Sequence, residues 1–176
     1  LNKKFGAPRE KALSLMRLAR QAGLDMAGIA FHVGSQVTTA DSYLHAFDVV
    51  HELLEEAKNE GFDLPIMDIG GGFPIPETGV HYNLTAILDQ IAARLREDFS
   101  DKIIWSEPGR YMAGTAQNLI TKVIGVNERN GQVWYFLDDG IYGTFSGVIF
   151  DQWDYKLISF KEGEKIPATF AGPSCD

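Results

Sequence analysis

Apolar positions in the first two thirds of the chain alternate between two rhythms. Across "REKALSLMRLARQAGL" (residues 9–24), Leu13, Met16 and Ala19 recur at helical spacing and Gly23 supplies a stop. "MAGIAFHVGS" (26–35) is instead a short continuous apolar run ending at Gly34, the pattern of a parallel strand buried on both faces. The helical rhythm returns over 39–61, where Leu44, Phe47, Val50, Leu54 and Ala57 form a stripe closed by Gly61. "LPIMDI" predicts a second buried strand. "NLTAILDQIAARLRED" predicts a helix capped by Asn83, with Leu84, Ile87, Leu88, Ile91 and Leu95 on one side. "KIIWSE" predicts a third strand. Strands alternating with helices in this way define parallel β/α units.

From about Thr115 the rhythm changes. "NLITKVIGVNERNGQVWYFLDDGIYGTFSGVIF" is rich in β-branched and aromatic residues, and Asn130-Gly131 suits a tight primed hairpin turn. An antiparallel β domain is expected here, with the aromatics of "WYF" and "FSGVIF" in its core. The expected division is a partial β/α domain over 1–113 and a partial β domain over 114–176.

Composition narrows the function classes. With 45% hydrophobic and 23% charged residues the sequence is that of an ordinary globular protein. A net charge of -8 without a basic patch argues against nucleic acid or an acidic membrane surface as partner. No apolar run approaches the length of a membrane span, and no signal-peptide pattern opens the sequence. The single cysteine excludes an intramolecular disulfide, which favours a reducing cytoplasm. The opening "LNKKFGAP" and closing "AGPSCD" both read as cut ends, so an internal fragment is expected.

Each predicted strand ends in chemistry: "FHVGSQ", "DIGGGFP" and "SEPGRY". In a β/α barrel these carboxyl ends meet around one mouth. His32 alone is better read as a satisfied interior histidine, but three loaded strand ends in succession reverse that preference. Gly70, Gly71 and Gly72 after a strand suit a loop whose amide N–H groups surround an anion, against the plainer alternative of a tight turn. The dinucleotide fingerprint fails, because G-x-G-x-x-G is absent and prolines follow where its helix should begin. A nucleotide P-loop fails too, since no Gly-Lys-Ser/Thr follows. A monophosphate therefore fits best. Glu107 and Arg110 are a surface ion pair in the plainer reading. At a barrel mouth Arg110 can clamp a phosphate oxygen, Glu107 can hold a protonated ring nitrogen, and Ser35 offers a hydroxyl to the same anion.

Five segments, "FHVGSQ", "DIGGGFP", "EPGRY", "DDGIYGTFSGVIFD" and "GPSCD", stand in the order and approximate spacing of the alanine-racemase-fold pyridoxal-phosphate decarboxylases, which the chain resembles over essentially its whole length. Within that family it looks most like the ornithine and lysine/ornithine decarboxylases. The resemblance implies the C-terminal half of a (β/α)8 barrel followed by the start of an antiparallel β domain, with pyridoxal 5'-phosphate as cofactor and no metal. It implies that His32 stacks on the pyridine ring and that Ser35, Gly70, Gly71, Gly72 and Arg110 hold the phosphate. Glu107 would pair with the pyridinium nitrogen.

On the substrate side, the resemblance implies that Tyr142, Asp151 and Asp176 face the amino acid, the two aspartates meeting its distal ammonium. Cys175 would reprotonate the α-carbon after carbon dioxide leaves. A homodimer is implied as well, because in the family the cysteine loop reaches the partner subunit's site; Lys4 matches a lysine that pairs across that interface. Against Cys175 stands the usual fate of a free cysteine as a small buried hydrophobe. "CD" in place of the "CES" of diaminopimelate decarboxylases favours ornithine, to give putrescine for polyamine synthesis, or lysine. The lysine that would carry the cofactor aldehyde has no counterpart here and is expected upstream of residue 1, so the isolated fragment is expected to be inactive. Two non-catalytic alternatives are a regulatory homologue and a cofactor carrier. The retention of His32, Glu107, Arg110, Cys175 and Asp176 weighs against the first, and the β domain against the second.

Overall fold

A computed structural model describes residues 5–76, 80–150 and 152–175. The chain divides into two compact units, residues 1–116 and 117–176, compared with the expected division at 113/114.

The first unit is built on a three-stranded parallel sheet in the order β1 (Gly28–Ala30), β2 (Ile66–Asp68), β3 (Ile103–Trp105). The helices are α1 (Ala12–Gln21), α2 (Asp41–Asn59), α3 (Leu84–Asp98) and the short α4 (Gly109–Ala113). Local sequence dictates several boundaries. Gly23 and Gly61, at φ 75° and 74°, take the left-handed conformation that ends α1 and α2. Asn83 caps α3, its side chain accepting the Ala86 N–H at 3.1 Å. Asn83→Ala is expected to lower stability by about 1 kcal/mol, seen as an earlier urea midpoint with unchanged slope.

Register gives the sheet two unlike faces. Ile29, Met67 and Ile104 are cross-strand neighbours, and this row packs into the helical side around Phe47 and Phe99. The alternate rows, Gly28–Ile66–Ile103 and Ala30–Asp68–Trp105, point the other way. Ile103 and Trp105 are both 56% exposed. The expectation of burial on both faces is therefore corrected for β1, which within the described residues is covered on one face only, as is β3. The stripe of α2 is also rotated from expectation. Tyr43, Phe47, Val50, Leu53 and Ala57 are buried, whereas Leu44 and Leu54 are half-buried. Phe47 sits at its centre, edge-on to Phe31 at 6.0 Å and against Phe99 at 5.7 Å. Arg9–Glu56 ties the N-terminal segment to α2, Arg17 of α1 pairs with Glu60 just past the end of α2, and Arg94 of α3 reaches Asp48 of α2.

The second unit holds β4 (Val123–Arg129), β5 (Gln132–Leu137), the one-turn α5 (Gly147–Phe150) and β6 (Ala168–Ala171). β4 and β5 form the hairpin expected at Asn130-Gly131, whose φ values of 53° and 76° are those of a primed turn. β6 pairs parallel to β5, with Tyr135 stacked on Phe170 at 5.7 Å. The sheet is thus mixed, not purely antiparallel. A second correction concerns "FSGVIF": Val148, Ile149 and Phe150 are exposed, because α5 is too short to turn one face consistently inward.

Candidate active site

The carboxyl end of the parallel sheet is stitched by backbone bonds that continue past the strands. Phe31 N–H donates to Asp68 O (3.1 Å), Ile69 N–H to Trp105 O (3.0 Å) and Glu107 N–H to Gly70 O (2.8 Å). This register sets the three loaded strand ends side by side. Alanine geometry makes the closeness concrete. A Cβ on Gly70 would lie 2.2 Å from Phe31 O, on Gly71 2.4 Å from Glu107 O, and on Gly72 2.1 Å from Gly34 O. Gly70 and Gly72 also hold φ of 66° and 106°, which side chains resist. The glycines are bare, first of all, because the neighbouring loops lie against them.

That packing decides where the polar backbone points. Each glycine carbonyl is taken up inside the protein: Gly70 O by Glu107 N–H, Gly71 O by the Tyr43 hydroxyl (2.7 Å), and Gly72 O by Val37 N–H (2.9 Å). Gly70 N–H donates to Asp68 Oδ1 (2.9 Å) and Gly71 N–H to His32 Nδ1 (3.3 Å). The second bond makes Nδ1 an acceptor and places the ring proton on Nε2. Gly72 N–H meets no acceptor among the described residues. Gln36 locks the far side of the loop, its side chain accepting Ile75 N–H (2.9 Å) and donating to Ile75 O (3.1 Å). All three carbonyls are thereby occupied by donors of the protein itself, which leaves none of them free to repel an anion at the loop.

The sequence-predicted residues of the first unit fall as follows. His32, Gly70, Gly71, Gly72 and Glu107 converge; His32 and Glu107 are exposed at that edge. Ser35 is exposed one residue beyond Gly34, and Arg110 is half-buried in α4, just after Glu107. Sequence reasoning missed Tyr43, Asp68 and Gln36. Asp68 and Gln36 lay inside the quoted motifs; Tyr43, on a helix stripe, carried no local signal. A cavity of about 420 Å³ between Lys58, Asp63, Asp98 and Lys102 lies at the opposite, amino-terminal end of the strands and is not part of this site.

In the second unit two motifs meet back to back. A Cβ on Gly140 would lie 2.9 Å from the Gly172 Cα, and one on Gly172 2.6 Å from the Gly140 Cα. The contact brings "DDGIYG", with Tyr142, against "GPSCD", with Cys175; both side chains are exposed. Asp139 shapes the first of these turns, accepting Gly140 N–H (2.7 Å) and Thr144 N–H (3.2 Å). The Thr144 side chain foremost, then these amides, hold its carboxyl below the usual range. A cavity of about 310 Å³ adjoins the turn, lined by Ile141, Phe145, Trp153 and Phe170. Lys4, Asp151 and Asp176 lie outside the described residues.

A parallel β/α sheet thus gathers three close-packed glycines, a histidine and Glu107 at its carboxyl edge, with Arg110 following in α4. The chain belongs to the pyridoxal-dependent decarboxylases: residues 1–114 match the family's pyridoxal binding domain. It is 50% identical to the lysine/ornithine decarboxylase of Selenomonas ruminantium, over all of this chain and 45% of that protein. The crystal structure of SrLDC in complex with PLP and cadaverine superposes with a TM-score of 0.92 at 50% identity, over 99% of this chain and 46% of that one. The lysine/ornithine decarboxylase of Vibrio vulnificus complexed with cadaverine gives 0.90 at 38% identity, over 99% and 48%. The chain thus spans about half the length of the relatives it matches. Among the described residues, no helix is long and apolar enough to cross a membrane.

Proposed function

We propose that the intact protein carrying this chain decarboxylates a basic amino acid with pyridoxal phosphate, L-ornithine to putrescine in the first place and lysine to cadaverine in the second. The observation that carries the proposal is the register that sets His32, the three glycines and Glu107 together, with the carbonyls of all three glycines occupied by the protein's own donors. The 50% identity to a lysine/ornithine decarboxylase supports the same substrate class. The exposed apolar face at Ile103 and Trp105 is consistent with a sheet that continues into a closed (β/α)8 barrel.

The residues fit the cofactor's chemistry. Gly70–Gly72, Ser35 and Arg110 would hold the phosphate, and His32 would lie on the ring. When bound, pyridoxal phosphate supplies the electron sink that accepts the pair left behind as the carboxylate departs. Glu107 holds the proton on the pyridine nitrogen, since a carboxylate beside a cation favours its charged form. Asp151 and Asp176 receive the distal ammonium of the substrate by charge-assisted hydrogen bonds. Cys175 gives its thiol proton to the α-carbon, so that one proton replaces the carboxylate and a diamine is released. The working unit is a homodimer of a cytoplasmic enzyme, with the Cys175 loop serving the partner's site.

The test is a panel of ornithine, lysine, arginine and diaminopimelate on the intact protein, with carbon dioxide and amine measured together. Putrescine or cadaverine in equal amount to carbon dioxide is expected. Turnover of arginine or diaminopimelate alone, or of none of the four, refutes the assignment. A one-methylene difference is worth only about 1–3 kcal/mol, so both ornithine and lysine should turn over at measurable rates.

A further inference from the structure

We propose that Tyr43 is a positioning residue for the cofactor phosphate, acting through the Gly71–Gly72 peptide; the inference rests on the pyridoxal-phosphate reading above. Tyr43 lies in the first turn of α2, fully buried, away from every motif. Its ring stacks on Phe73 at 5.4 Å, and its hydroxyl donates to Gly71 O at 2.7 Å. Burial pushes its phenol up to about 12, so the group stays a donor throughout the working range.

Gly71 O and Gly72 N–H belong to the same peptide plane, and among the described residues no peptide bond is cis. In a trans peptide the two groups point in opposite directions. A hydroxyl that draws Gly71 O toward the core therefore drives Gly72 N–H away from it. Gly72 N–H is also the glycine-loop amide without an acceptor among the described residues, whereas Gly70 and Gly71 spend theirs on Asp68 and His32. The other two carbonyl anchors, Glu107 N–H and Val37 N–H, are backbone groups. Tyr43 is thus the side-chain anchor that sets the direction of the open amide, and the one that substitution can remove.

The experiment compares pyridoxal phosphate with pyridoxal, which lacks the phosphate, in equilibrium titrations of the apo form of the intact protein. Tyr43→Phe keeps the ring and its stack on Phe73. It is expected to weaken pyridoxal phosphate by about 2- to 12-fold, the value of one ordinary hydrogen bond, and to leave pyridoxal unchanged. Phe73→Leu disturbs the stack but keeps the hydroxyl; it is expected to lower the melting temperature with the phosphate preference intact. Equal weakening of both ligands by Tyr43→Phe, no weakening, or a variant that cannot be recovered folded would each overturn the assignment in favour of simple packing. So would loss of the preference in Phe73→Leu. A wild-type protein that binds neither ligand refutes the cofactor reading itself, a result distinct from all of these.

Discussion

Gly71→Ala in the intact protein is expected to lose the cofactor and a substantial part of its stability together. The conformation of Gly71 is one that alanine tolerates, since its φ is not in the left-handed region, unlike those of Gly70 and Gly72. The effect is therefore purely one of space. The new methyl would stand 2.4 Å from Glu107 O. That oxygen cannot swing aside freely, because it accepts Gly109 N–H at 2.7 Å at the start of α4. Relief must come from separating the β2 and β3 loops, which breaks the Glu107 N–H to Gly70 O bond and shifts Glu107 and Arg110 as a unit. Overpacking of this kind costs about 1–3 kcal/mol. A displacement near 1 Å of binding groups weakens their function on the order of 10²-fold. Denaturant unfolding and titration with pyridoxal phosphate measure the two losses. Gly109→Ala is the control: a Cβ there meets nothing within 4 Å, so stability should stay within about 0.5 kcal/mol of wild type. Wild-type stability and affinity in Gly71→Ala would show that the loops are not packed as described.

This reverses part of what the sequence suggests about the triple glycine. Read along the chain, bare backbone points to a close ligand. In the structure the three absent side chains make room first for Phe31, Glu107 and Gly34, and the anion site follows from how that packing turns the amides. Features governed by neighbours in sequence were legible: the Asn83 cap, the left-handed stops at Gly23 and Gly61, and the Asn130-Gly131 turn. Features governed by distant partners were not. The parallel pairing of β6 with β5 joins segments some thirty residues apart, and nothing in "ATFA" sets its direction. The open face of β1 and β3 is likewise a matter of what covers a strand, which an apolar run cannot specify. Tyr43 was invisible because a tyrosine in a helix stripe reads as core; it is core, and it also holds a carbonyl.

The largest kinetic effect is expected at Cys175. Its thiol is exposed at the end of a segment held by the Gly140–Gly172 contact, in the company of Tyr142's turn, which is not the setting of a cysteine used as core filling. If the thiol delivers the proton that replaces the carboxylate, Cys175→Ala removes a general acid and leaves the cofactor cradle, which lies in the other unit, untouched. Loss of a positioned proton donor costs about 10²- to 10⁴-fold in rate. The expected signature is selective: affinity for pyridoxal phosphate and the melting temperature unchanged, kcat for diamine formation lowered by that factor, and carbon dioxide release in a single turnover much less affected, since it precedes the proton. Cys175→Ser should recover little, because a hydroxyl is a far weaker acid than a thiol at neutral pH. Rapid quench with simultaneous assay of carbon dioxide and diamine distinguishes the steps. Equal slowing of both products would move Cys175 to substrate binding or to carboxylate loss, and an unchanged rate of diamine formation would remove it from the reaction altogether.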